Sequence, residues 1–93
     1  MKLKEVLEDL DTLENNTRKI HENKIYRHFK NKDYKVLHIA EHTETNELMV
    51  IYQALYGEYK IYARPYDMFA SKVDRVKYPN VEQKYRFEEI EEN

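Results

Sequence analysis

The chain of 93 residues has no cysteine, no tryptophan, one glycine, two prolines and a single serine, Ser71. Without cysteine there are no disulfides, no thiolate metal sites and no thiol nucleophile. One glycine cannot build a Gly-rich phosphate loop, and Ser71 stands in no nucleophile-elbow motif. The longest apolar run, Leu48 to Tyr52, is far too short to span a bilayer. Met1 to Leu13 is charged at every second or third residue, so no apolar export region is visible. A soluble, cytoplasmic protein with no membrane partner is expected, and the lack of cysteine fits a reducing compartment.

Nine tyrosines and three phenylalanines are present instead. A chain this short makes one domain with a thin core, and aromatics must supply much of it. Tyrosine buries a large apolar body but leaves a hydroxyl that needs a partner. The net charge of −2 gives no global field toward nucleic acid or acidic membranes. The charge is nevertheless blocky. Residues 25–40 carry Arg27, Lys30, Lys32 and Lys35 against Asp33. Residues 59–78 carry Lys60, Arg64, Lys72, Arg75 and Lys77 against Asp67 and Asp74. The segment between them, 41–58, is purely acidic. Two basic segments that met in the fold would make one patch.

Leu3, Val6, Leu10, Leu13, Thr17 and Ile20 recur at steps of three and four, as on one helix face or a heptad seam. A helix is predicted over about Lys2–Glu14, extending at most to Glu22. It either covers the body of the domain or pairs with a second copy as a homodimer seam. From Ile25 the pattern changes to β. Tyr26–Phe29 reads as a short strand and Asn31-Lys32-Asp33 as a turn. Tyr34, Val36, His38, Ala40 and His42 alternate onto one strand face. Leu48–Leu55, broken only by Gln53, reads as a central strand. Gly57 is expected at positive φ in a hairpin turn. Tyr59–Ala63 follows as a strand, and Pro65 opens one helical turn through Phe69. Val73–Tyr78 and Tyr85–Phe87 are weaker strand candidates. Five short strands with tight turns predict a mainly β fold, a small antiparallel barrel or strongly bent sheet. The organisation expected is a helical extension over 1–24, the β domain over 25–88 and an acidic tail over 89–93.

Several spaced elements match a known family in order. They are Tyr26-Arg27-His28, Tyr34-x-Val36-Leu37, Ala40-x-His42-Thr43-Glu44, Val50-x-Tyr52-x-Ala54-Leu55-Tyr56-Gly57 and Arg64-Pro65-x-x-Met68-Phe69, with an echo in Arg86-Phe87. The chain thereby resembles a small, mostly bacterial family known only as domain of unknown function sixteen fifty-three. The resemblance implies an SH3-like barrel or roll and brings no assigned activity. Asn31 and His38 stand where that family usually has glycine.

The histidines do not make a metal pair. His38 and His42 on one strand would lie about 13 Å apart, too far to share a zinc. No metal and no cofactor is expected. A small hydrolase or lyase using His28 or His42 as acid and base is the least favoured reading. Polar groups inside strand patterns, where packing alone favours Val or Ile, form the candidate binding set: Tyr26, Arg27, His28, His42, Gln53, Tyr56 and Arg64. Arg64, fixed by Pro65, presents a planar fork to a carboxylate or phosphate. The reading favoured is a non-catalytic module that binds an anionic group on a peptide, protein or small ligand. RNA or single-stranded nucleic-acid binding is the alternative, since small barrels combine aromatic platforms with basic grooves.

Overall fold

A computed structural model describes residues 18–90. The helix expected over Lys2–Glu14, with its dimer seam, lies outside the described residues. Its extension toward Glu22 is not formed: residues 18–24 run as an irregular strap. Five strands follow, β1 (Ile25–His28), β2 (Lys32–Glu41), β3 (Leu48–Ala54), β4 (Ile61–Pro65) and β5 (Phe87–Glu89), with one helical turn, α1 (Tyr66–Phe69), after β4. They form a single antiparallel sheet in the order β4-β3-β2-β1-β5.

Local chemistry explains the turns. Asn31 at φ 63° and Gly57 at φ 60° occupy the left-handed region that the turn readings required. The β2–β3 turn closes by His42 N–H donating to Glu47 O at 2.8 Å, while His42 Nδ1 accepts from Glu44 N–H at 3.1 Å. Pro65 sits just before α1 at φ −53°, and Ala70 N–H closes the turn on Tyr66 O at 2.9 Å. Residues 73–78 form no strand; they contribute a turn instead. Glu89, expected in the acidic tail, belongs to β5 through its pairing with Tyr26, and the carboxylates of Glu88 and Glu89 both accept hydrogen bonds. Glu88 takes the N–H groups of Lys84 and Tyr85, and Glu89 takes the Tyr26 hydroxyl.

The face of β2 differs from simple alternation. The register shifts between Val36 and His38, so Leu37 is an extra residue, a bulge. Beyond it, Ile39 pairs with buried Val50 and packs on the core. His38 and Ala40 therefore fall on the opposite face from Tyr34 and Val36, where a strict period of two had placed them together.

One face of the sheet carries the core: Tyr26, Val36, Val50, Tyr52 and Phe87, closed by Ile20 from the strap and by Phe69 and Ala70 from α1. Aromatic rings dominate it, as the composition required. Phe69 and Phe87 stack with centroids 4.1 Å apart and planes 6° apart. Phe87 also meets the edges of Tyr34 and Tyr52 at 5.5 and 5.6 Å. The strap is tied down by Arg18, whose guanidinium donates to the carbonyls of Ala70 and Phe87 and lies 4.0 Å over the Tyr85 ring. Its partners are two carbonyls and a ring, and desolvation depresses its pKa.

The expected barrel is not closed. β4 and β5 are the two edges of the sheet and exchange no strand pairing. The sheet curls strongly enough to bring them together, since the Arg64 guanidinium of β4 lies 5.6 Å over the Phe87 ring of β5. β5 spans three residues and β4 ends at Pro65, which cannot donate to a ladder.

Candidate functional site

Beside Arg64 of β4, where β1 ends and the chain approaches β5, lies a cleft of about 300 Å³. Its lining comes from His28 at the end of β1, Phe29 and Lys30 in the β1–β2 turn, Arg64 of β4, Asp74, Lys77 and Tyr78 of the following loop, and Arg86 just before β5. Register explains the gathering. Tyr26 and His28 are two residues apart and share the core face, and His28 pairs with Phe87 of β5. Arg64 pairs with buried Val50, so it too stands on the core face, at the other edge. Phe29 N–H donates to Arg86 O at 3.1 Å, and the Gln83 side chain donates to the carbonyls of Arg27 and Tyr85 at 2.9 Å. These bonds hold the β5 approach against β1.

Arg64 is fixed without a carboxylate. Its Nε donates to the Tyr52 hydroxyl at 3.1 Å, and its plane rests near the Phe87 ring. Among the described residues no acid lies within ion-pair distance of Arg64, Lys30, Lys77 or Arg86. The one carboxylate of the lining, Asp74, already accepts the N–H groups of Val76 and Lys77 at 3.0 and 3.2 Å. Lys30 and Lys77 each hold an ammonium 5.5 Å from the Tyr78 ring. Phe29 and Tyr78 lie 4.9 Å apart at 58° and form the aromatic wall.

His28 senses this field. Burial, then the charges of Arg64, Lys30 and Arg86, push its pKa down to about 4. The ring is stacked on Phe29 at 4.3 Å and set edge-on to Phe87 at 4.9 Å. Nδ1 accepts the Lys30 N–H at 3.1 Å, so the neutral ring carries its proton on Nε2. A positive charge on the ring is disfavoured, as expected where cations converge unneutralised.

A family model described as a protein of unknown function (DUF1653) matches residues 24–89. The chain belongs to the DUF1653 family. A crystal structure of a DUF1653 protein from Bordetella bronchiseptica is similar, with 25% identity and a TM-score of 0.64. The likeness covers 78% of this chain and 91% of that one. No curated protein matches.

In this DUF1653 domain the seven residues singled out by sequence separate. His28 and Arg64 meet in the cleft. Tyr26 is buried in the core, and its hydroxyl accepts from His21 N–H at 2.8 Å and donates to Glu89 at 3.2 Å. Burial pushes that phenol up to about 12. Arg27 lies on the other sheet face, paired bidentately with Asp33 at 2.8 and 3.1 Å. His42 shapes the β2–β3 turn, and Gln53 donates to Tyr59 O at 3.0 Å. Tyr56 shares a 2.6 Å hydrogen bond with the Tyr34 hydroxyl, and burial raises the Tyr34 pKa. Phe29, Lys30, Lys77, Tyr78 and Arg86 were not among the sequence candidates. Two sequence signals touched them: the pair of basic blocks, which supply Lys30 and Lys77, and the family echo at Arg86-Phe87.

Proposed function

We propose that this DUF1653 domain is a non-catalytic recognition module that captures an anionic group in the cleft beside Arg64. The observation that carries the reading is Arg64. A guanidinium held by a phenol and an aromatic ring, rather than by a carboxylate, keeps the outer edge of its fork for a ligand. Lys30, Lys77 and Arg86 converge beside it with no acid to neutralise them among the described residues. Pre-positioning lowers the ordering cost that a free arginine side chain would bring to binding. Phe29 and Tyr78 supply the aromatic wall, while Tyr26 lies in the core and Tyr56 bonds Tyr34.

Sulfate titration followed by amide chemical shifts tests this. Sulfate should move the amides of His28, Phe29, Lys30, Tyr78 and Arg86 saturably, and Arg64→Ala should abolish the response. Shifts scattered over the surface, or equal in the Arg64→Ala variant, would refute the assignment.

A further inference from the structure

We infer, building on the cleft as an anion site, that its ligand is a phosphoryl group of two or more negative charges on a small molecule, typified by pyrophosphate. Charge comes first. Among the described residues, four cationic side chains face one carboxylate and His28 is neutral near pH 7, an excess of three positive charges in the lining. A single carboxylate leaves most of that excess uncompensated, whereas a phosphate dianion or a pyrophosphate approaches balance.

Donor directions point the same way. Lys30 comes from the β1–β2 turn, Arg64 from β4, Lys77 from the loop after α1, and Arg86 from the approach to β5. A planar carboxylate is satisfied by one guanidinium fork, while a tetrahedral phosphoryl group offers oxygens in several directions at once. Two forks and two ammoniums arriving from separate segments match the second shape. The volume of about 300 Å³ is at the small end of ligand clefts and admits a ligand of pyrophosphate size.

Nucleic acid is disfavoured by two features. The Tyr78 ring already has the Lys30 and Lys77 ammoniums near it, so it is not a bare platform for a base. A strand also needs a track of cations, and elsewhere the chain presents Glu41, Glu44 and Glu47 around the β2–β3 turn and Glu58 before β4.

Calorimetry on the full chain at pH 7 and constant ionic strength tests the inference with pyrophosphate, inorganic phosphate and citrate. Pyrophosphate should bind at least tenfold more tightly than citrate, a carboxylate ligand of comparable charge. Arg64→Ala and the exposed Lys77→Ala should each weaken it, with the latter serving if the former unfolds. Equal affinity for citrate would overturn phosphoryl selectivity and leave the anion site standing. No binding of any of the three would overturn both. A single-stranded oligonucleotide lacking a terminal phosphate that binds tenfold more tightly than pyrophosphate would replace the inference with nucleic-acid recognition.

Discussion

Lowering the pH below neutrality should destabilise the domain first through His28. The unfolded chain takes up this proton near 6.5, and the folded ring, buried and facing Arg64, Lys30 and Arg86, takes it near 4. Between those values only the unfolded state is protonated, so stability falls as pH falls through the window and is fully present above it. The full linkage would be about 3 kcal/mol. Water in the open cleft screens part of the field, which leaves about 1–2 kcal/mol. For a domain this size that is roughly 5–15 °C in melting temperature. Asp33 and Glu89 act at the acid end of this window. Their carboxyls are held below ordinary values of 3.8 and 4.5, so their contribution is lost as pH falls through and below those values. The assay is thermal unfolding from pH 7 to pH 4.5 of wild type and His28→Gln, so that the other histidines cancel. Wild type should lose stability over this range and the variant should lose distinctly less. Parallel curves would show that His28 is not held neutral by its surroundings.

Three further outcomes follow from the same contacts. Phe87→Ala removes a fully buried ring stacked on Phe69 and should cost about 3–5 kcal/mol in urea denaturation; a loss below about 1 kcal/mol would contradict its place at the centre of the core. Arg18→Ala deletes two charge-assisted bonds to the carbonyls of Ala70 and Phe87 and should cost about 1–3 kcal/mol by thermal unfolding. Arg18→Lys should recover only part, because one ammonium lacks the planar fork; full recovery would count against the bridging role. Tyr52→Phe takes away the hydroxyl that accepts from Arg64 Nε. It should change stability by about 1 kcal/mol or less yet weaken sulfate binding about three- to tenfold in a shift titration; unchanged affinity would mean that Arg64 needs no clamp.

Much of the scaffold was legible in the amino-acid sequence because its signals are local. Leu48–Leu55 reads as a strand from its apolar run, and β3 occupies Leu48–Ala54. Asn31 and Gly57 mark their turns because few other residues hold positive φ cheaply. The bulge at Leu37 was hidden, since an extra residue leaves each half of β2 alternating normally and shows only in the pairing with β3. Closure was hidden for a related reason. Whether two edges bond depends on how far the sheet curls and on what the edge strands offer, and here β5 spans three residues and β4 ends at Pro65. His28 and Arg64 were conspicuous as polar residues within strand patterns. Lys30, Lys77 and Arg86 looked like ordinary solvated charges, and only their convergence from distant segments gives them a shared role.

The most direct measurement is a crystal structure grown with selenate, located by its anomalous signal. A selenate should sit in the cleft within hydrogen-bond distance of both Arg64 and Arg86, with Arg64 still bonded to the Tyr52 hydroxyl. A cleft empty at saturating selenate, or an Arg64 side chain turned out of it, would rule out the anion site.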